Sequence, residues 1–127
     1  MAQILERRAD VPDPGTVLTK ALLRAADRLD ITARALAGIV GLSEATVSRM
    51  KRGDYVLEAG TKTFELSVLF VRLFRSLDAI VGGDETVARA WLRNPNTLLG
   101  ARPLDRIGTV AGLVDVIAYL DARRALV

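Results

Sequence analysis

The feature that most constrains the fold of this chain lies in residues 33–53, where two short helical patterns meet at a glycine. Gly41 tolerates the positive φ that a sharp turn between two helices requires. Ala37 is small enough to let a second helix cross close to the first, and Ser43 has a side chain that caps a helix N-terminus. Two helices that cross at a steep angle through a short turn form a helix-turn-helix, and we predict that motif here.

The helical period separates the inward side chains of this motif from the outward ones. In a helix-turn-helix, the exposed face of the second helix enters the DNA major groove, with its N-terminal part nearest to the base edges. We expect Leu42 to hold the corner between the helices. The side chains expected to face the core are Leu36, Val40, Val47 and Met50.

The outward positions carry residue types that suit DNA. Arg49 is suited to bidentate pairing with guanine, whereas Lys51 and Arg52 at the helix end suit phosphates. An αα-corner without DNA-binding function is the alternative, because a basic run is usually only a solvated surface. The number of matches at fixed offsets favours DNA binding. The predicted DNA-binding residues are Arg34, Ser43, Glu44, Ala45, Thr46, Ser48, Arg49, Lys51 and Arg52.

Apolar residues recur at helical spacing along the rest of the chain, and no segment alternates convincingly between apolar and polar residues. This pattern predicts an all-α protein. Glycines and prolines separate the helical stretches. We predict a flexible arm over residues 1–15 and a first helix from Thr16. The two motif helices are expected to be capped by Thr32 and Ser43 and to end at Val40 and near Arg52. A long helix from Thr61 to Val81, a helix capped by Asp84, a short helical turn near Pro103 and a last helix capped by Thr109 are expected to follow.

The long helix predicted over residues 61–81 carries apolar side chains on more than one face. Such a helix must be buried on several sides. Either it is the central core helix of a monomer or a second subunit covers part of it, and the sequence leaves the two alternatives open. If it forms a dimer contact, the candidate dimerisation residues are Phe64, Phe70 and Phe74.

The chain contains no cysteine and no histidine among its 127 residues. This composition excludes disulfides, thiolate zinc sites and every catalytic triad that uses an imidazole base. The sequence also has no phosphate-binding glycine motif and no obvious pair of carboxylates at catalytic spacing. We therefore predict that the protein is not an enzyme and uses no cofactor or metal.

The net charge of +3 permits a polyanionic partner without demanding one. The N-terminal sequence lacks the apolar core of a secretion signal, and no uncharged apolar run reaches the length of a membrane span, about 18 residues. We therefore expect a cytoplasmic protein with no membrane partner.

The segment over residues 90–112 reads AWLRNPNTLLGARPLDRIGTVAG. It resembles the C-terminal domain of the Xre/MbcA/ParS-like antitoxins, and the motif at residues 33–53 resembles the Xre (Cro/cI-type) helix-turn-helix. The two resemblances together cover about residues 16–127, and their combination is more specific than either motif alone. The C-terminal resemblance is carried by Trp91, Leu92, Pro95, Asn96, Leu98, Gly100, Pro103, Leu104, Asp105, Thr109 and Gly112.

The resemblance implies the antitoxin of a type II toxin–antitoxin system. Such antitoxins use their C-terminal domain to neutralise a toxin encoded beside them, commonly a RES-domain protein that consumes NAD. They also tend to form homodimers and to repress their own operon by binding DNA. A helix-turn-helix transcriptional regulator without a toxin partner is the alternative. The implied organisation is the arm at 1–15, an Xre-type helix-turn-helix domain at 16–60, a central dimerisation helix at 61–83 and a small helical toxin-binding domain at 84–127.

Toxin contacts are expected in the loop before the last helix and at the C-terminus. In the family the last residues approach the toxin's active-site pocket, but many members carry a glycine after the last helix that this sequence lacks, so the way the pocket is blocked stays open. Arg123 and Arg124 either complement carboxylates in that pocket or only suit the dipole at a helix C-terminus. We expect structural roles for Trp91, Leu98 and Leu104. The candidate toxin-binding residues are Asn96, Arg102, Asp105, Arg106, Arg123, Arg124, Leu126 and Val127.

Overall fold

The computed structural model describes residues 11–126, and within this range the chain forms seven helices and no strand. The predicted all-α class is therefore confirmed, including the short helical turn at Pro103. The helices are α1 (Pro14–Arg28), α2 (Ala33–Val40), α3 (Glu44–Lys51), α4 (Lys62–Ile80), α5 (Glu85–Arg93), α6 (Pro103–Arg106) and α7 (Val110–Arg124).

Six of these helices begin where a short polar side chain caps the free N–H groups of the first turn. In each case the capping oxygen accepts a hydrogen bond from the backbone N–H three residues later, and such a cap contributes about 1 kcal/mol to stability. Asp13 and Thr61 cap α1 and α4 in this way. Four caps predicted from the sequence are confirmed, namely Thr32, Ser43, Asp84 and Thr109.

Helix α1 begins earlier than the sequence pattern suggests. The arm predicted over residues 1–15 is wrong for its last three residues, because Asp13 caps the helix and Pro14 opens its first turn. Proline suits that position because the N–H groups of the first turn have no partner within the helix. Residues 1–10 of this prediction lie outside the described part of the chain.

The start of α1 packs closely against the connector between α3 and α4. Gly15 is buried, and a Cβ atom there would overlap the carbonyl oxygen of Leu57. The hydroxyl of Thr19 accepts a hydrogen bond from the Leu57 backbone N–H at 3.0 Å and donates to the Gly15 carbonyl oxygen at 2.6 Å. These contacts fix the connector on α1.

Helix α4 is central to the fold and packs mainly against α7 and α1, with further contacts to α2. Phe70 and Leu73 are fully buried in this core, and Leu77 is almost so. Because 0 % of the Phe70 surface is exposed, its side chain fills the chain's own core and offers no surface to a second subunit. Phe70 as a dimerisation residue is therefore wrong, because α1 and α7 already cover the second apolar face of α4.

The C-terminal helices close around a smaller extension of the same core. Leu92, Ile107 and Leu113 are fully buried where α5, α6 and α7 meet. A Cβ atom on Gly112 would overlap the carbonyl oxygen of Arg106. Glycine therefore allows the end of α6 to lie directly against the first turn of α7.

Two arginines of α5 connect the C-terminal helices to the end of α1. The Arg93 guanidinium donates to the carbonyl oxygens of Leu29 at 3.1 Å and Asp30 at 2.7 Å. Arg89 donates to the carbonyl oxygen of Arg28 at 2.8 Å. The last carbonyl groups of a helix lack partners within the helix and carry partial negative charge, so cations are favourable there.

Candidate nucleic-acid and toxin interfaces

The corner between α2 and α3 has the geometry that the sequence predicted. Gly41 has a φ of 74°, and the backbone N–H groups of Gly41 and Leu42 donate to the Ala37 carbonyl oxygen at 2.9 and 3.0 Å. Ala37 itself is buried where the two helices approach. The helix-turn-helix is thus confirmed as a structural motif. The four side chains predicted to face inward are all buried, namely Leu36, Val40, Val47 and Met50.

The opposite face of α3 is polar and open to solvent. The Ser43 and Thr46 hydroxyl oxygens lie 2.8 Å apart, and Arg49 Nη2 donates to the Thr46 hydroxyl at 3.2 Å. A short chain of hydrogen bonds therefore holds these side chains on the outer face of the helix. The residues of this face that are exposed or half-buried are Glu44, Ala45, Thr46, Ser48 and Arg49.

Tyr55 also contributes to this surface, although no motif in the sequence singles it out. Its ring lies beneath the Arg49 guanidinium, with 5.8 Å between Arg49 Cζ and the ring centroid. A cation–π contact of this kind contributes about 0.5–1 kcal/mol at an exposed site. The only sequence signal for it is an aromatic residue placed just after Gly53, where the motif ends. Tyr55 restricts the Arg49 side chain before any partner binds.

The cations at the end of α3 differ in their surroundings. Arg52 lies 3.6 Å from the Asp54 carboxylate, and both side chains are largely exposed. Lys51 is exposed and forms no ion pair within residues 11–126. Arg52 thus has a carboxylate in ion-pair contact, whereas Lys51 shares a small cleft with Asp27 and Asp30 without such a contact.

Arg34 lies on α2, where it faces the C-terminal part of the chain as well as solvent. It lines a cleft of about 430 Å³ whose other wall includes Leu104, Asp105 and Gly108. Arg34, a predicted DNA-binding residue, and Asp105, a predicted toxin-binding residue, therefore line the same cleft.

Asn96 shapes the loop between α5 and α6. Its side-chain oxygen accepts hydrogen bonds from the backbone N–H groups of Leu98 at 3.0 Å and Leu99 at 3.2 Å, and its backbone pairs with Ala101. Leu98, which we expected to be structural, is instead 79 % exposed at the tip of this loop. That expectation is wrong because the turn built by Asn96 directs Leu98 away from the core.

Arg102 and Asp105 form a two-point ion pair at the start of α6. Arg102 Nε lies 2.8 Å from Asp105 Oδ2, and Nη2 lies 2.7 Å from Oδ1. The hydrogen bonds and charge of Arg102 lower the pKa of Asp105, and Asp105 raises the pKa of Arg102 through its hydrogen bonds and charge. Both side chains remain exposed, so a partner can reach the pair.

Arg106 is engaged within the fold. Its Nη2 atom donates to the Asp115 carboxylate at 2.6 Å, which connects α6 to α7, while Nε is buried without a hydrogen-bond partner. The side chain is half-buried. The structure thus gives this candidate toxin contact a role in holding α6 on α7.

The end of α7 carries a stack of aromatic and cationic side chains. Trp91 and Tyr119 lie with their ring centroids 6.0 Å apart at an interplanar angle of 23°, and Arg123 Cζ lies 5.9 Å from the centroid of the Tyr119 ring. Tyr119, which precedes Arg123 by one helical turn, is not among the candidate residues predicted from the sequence. Arg124 and Leu126 are exposed. Val127 lies outside the described residues.

Comparison with protein families shows what kind of protein has this architecture. Residues 9–72 match the antitoxin Xre-like helix-turn-helix domain, and residues 76–125 match the antitoxin Xre/MbcA/ParS C-terminal toxin-binding domain. The chain belongs to the Xre-like antitoxin family. A search of curated proteins found no match.

The antitoxin thus combines a DNA-binding domain with a toxin-binding domain, and the two classes of partner predicted from the sequence are supported. The matched regions meet inside α4, between residues 72 and 76. The central helix of the antitoxin therefore contributes to both domains.

Two further features of the antitoxin concern metals and membranes. Within residues 11–126 no group of three or more Asp and Glu side chains is placed to hold a metal ion. None of the helices in the same range has the length and apolar character needed to cross a membrane.

Proposed function

We propose that this antitoxin neutralises a cognate RES-type, NAD-consuming toxin and, as a homodimer, represses its own operon by binding DNA through α3. It acts by binding and not by catalysis. The observation that carries the proposal is the exposed polar face of α3 on a helix-turn-helix corner, in a chain that also has a toxin-binding domain.

The outer face of α3 supports the DNA-binding half of the proposal. Arg49 presents a fork of N–H donors that fits the acceptors of guanine, and the hydroxyl groups of Thr46 and Ser48 are of a size for base edges or phosphates. Lys51 suits a phosphate, which fixes the register of the protein on DNA. The remaining DNA-contact candidates are Arg34, Ser43, Glu44, Ala45 and Arg52.

Exposed side chains of the C-terminal domain support the toxin-binding half. Arg102 and Asp105 offer a charged pair at the start of α6, while Arg123, Arg124 and Leu126 are exposed at the end of α7. We propose that these residues contact the toxin directly. Asn96 and Arg106 act behind this surface, because their side chains hold the loop and α6 in place.

A homodimer is proposed from the family resemblance and from two phenylalanines of α4 that keep part of their surface. Phe64 and Phe74 are both half-buried, and Arg28 Cζ lies 6.0 Å from the centroid of the Phe74 ring. A second subunit that covers Phe74 would therefore also contact Arg28. Two modules in such a dimer are expected to read half-sites about 10 base pairs apart or a multiple of that.

To test this proposal, the protein encoded beside the antitoxin gene is expressed in cells alone and together with the antitoxin. We expect that protein alone to deplete cellular NAD and arrest growth, and the antitoxin to prevent both effects and to co-purify with it. A reporter gene under the operon's own promoter should be repressed by the antitoxin.

Matched variants of the full chain sharpen this experiment. Arg123→Glu should weaken co-purification of the toxin while leaving repression of the reporter in place, and Arg24→Glu, on the exposed side of α1, should change neither. Repression without any NAD effect or co-purification would contradict the toxin half and indicate a regulator without a toxin partner. Neutralisation without repression would contradict the DNA half.

A further inference from the structure

A groove of about 950 Å³ runs between α1, α4 and α7. Its floor is apolar and includes Leu18, Ala21 and Val71. Val17 and Val68, which line the same groove, leave 51 % and 44 % of their surfaces exposed. Contiguous apolar surface with polar residues at its edge is typical of partner-binding sites.

The groove is cationic as well as apolar. Arg72, Arg75 and Arg124 line it, with Asp121 as the acidic residue among the lining side chains. That carboxylate already accepts hydrogen bonds from Arg72 and Ser76. Within residues 11–126, Arg75 and Arg124 form no ion pair. Among the described residues, the groove therefore offers two arginines without an ion pair beside an apolar floor.

The charge of the groove indicates what can cover it. If a second copy of the chain packed the same face against this one, like charges would approach each other across the contact, which is unfavourable. An acidic partner would instead pair with Arg75 and Arg124. A groove between helices accepts the apolar face of an amphipathic helix, which supplies anchors at intervals of three and four residues.

We propose that this groove binds an amphipathic helix of a partner protein, with an apolar face seated on Val17, Val68 and Val71 and acidic side chains paired with Arg75 and Arg124. The groove joins the two domains, since α1 and most of α4 lie in the helix-turn-helix match and α7 lies in the toxin-binding match. Its occupant therefore contacts both domains at once, away from the outer face of α3.

The test uses two fluorescently labelled helical peptides of about 16 residues, or roughly four helical turns. Both carry leucines along one face. One has glutamates beside that face and the other has lysines. Fluorescence anisotropy should show that the glutamate peptide binds the wild-type protein at least about tenfold more tightly than the lysine peptide, because only the former complements the arginines.

Variants of the full chain locate the binding site. Val68→Asp should weaken binding of the glutamate peptide about tenfold or more, because it places a charge against the apolar face of the bound peptide. The double reversal Arg75→Glu with Arg124→Glu should transfer the preference to the lysine peptide. Lys62→Glu, at an exposed position of α4 that does not line the groove, should leave both affinities unchanged. Circular dichroism melts establish that every variant is folded.

Three results of the peptide assay would overturn the proposal: no binding of the glutamate peptide, equal binding of both peptides, or an unchanged preference in the double reversal. Sedimentation velocity of the wild-type protein and of Val68→Asp tests another occupant. If a dimer of the wild-type protein is lost in Val68→Asp, a second copy covers the groove and the proposal is wrong. The proposal is also wrong if the glutamate peptide binds only after residues 1–10 have been deleted, because that segment of the chain would then be the occupant of the groove.

Discussion

Arg49 shows how a single exposed side chain is prepared for binding by its neighbours. Its helical phase was enough to predict that it points outward. The contacts that orient it, to the Thr46 hydroxyl and to the Tyr55 ring, involve one residue of the same helix and one beyond it. An arginine held in this way loses less conformational entropy on binding than a free one.

Replacement of Arg49 by alanine should weaken binding to operator DNA about tenfold or more, since one bidentate pair contributes about 1–3 kcal/mol of discrimination. Arg49→Lys keeps the charge but not the fork of donors, so it should retain non-specific binding and lose preference for the operator. Fluorescence anisotropy with operator and scrambled DNA measures both effects. Arg75→Ala is the control, and an operator curve unchanged by Arg49→Ala would show that α3 is not the reading helix.

At the scale of elements, the junction of α6 and α7 depends on one glycine and one ion pair. Gly112 lets the two helices approach, and the pair between Arg106 and Asp115 holds them together. The sequence pattern marked Gly112 only through the family resemblance. Its physical role needed the position of the Arg106 carbonyl oxygen, which no local pattern specifies.

Gly112→Ala should destabilise the protein by about 1–3 kcal/mol, because the added methyl group forces α6 and α7 apart. Gly108→Ala is the matched control, since a Cβ atom there meets nothing within 4 Å. Urea denaturation followed by circular dichroism measures both free energies of unfolding. If the two variants unfold at the same urea concentration, the close approach of the helices does not limit stability.

At the scale of the whole molecule, the two domains share one core. Helix α4 lies in both matched regions, and Arg89 and Arg93 bind the carbonyl groups at the end of α1. The basic side chains that suit DNA differ in their ion pairs, because Arg52 pairs with Asp54 while Lys51 forms no ion pair within residues 11–126. The net charge of +3 therefore says less about DNA binding than the position of each charge.

DNA affinity should fall linearly with salt concentration on a double-logarithmic plot, because phosphate contacts release counterions. Lys51→Ala should lower the magnitude of this slope by about one and weaken binding to all sequences similarly. Arg52→Ala should change the slope less, because Asp54 already compensates part of its charge. Titrations at several salt concentrations measure these slopes. Equal slopes for the wild-type protein and Lys51→Ala would remove this lysine from the phosphate contacts.

Local sequence patterns were sufficient to predict the seven helices apart from the start of α1, four of the helix caps and the corner at Gly41, because these features depend on residues within about one helical turn of each other. The same local rules separated the buried from the exposed side of α3. The DNA contacts of α3, the toxin contacts of the C-terminal domain and the formation of a homodimer stay predictions.

What covers each helix depends on packing between segments that are distant in the chain. A period of apolar residues shows which face of α4 is apolar, but not whether α1, α7 or a second subunit covers it. For that reason Phe70 was misplaced, and the groove beside Val68 was not foreseen. Arg93 and Leu29 are 64 positions apart in the chain, and only the packing of α5 against α1 brings them together.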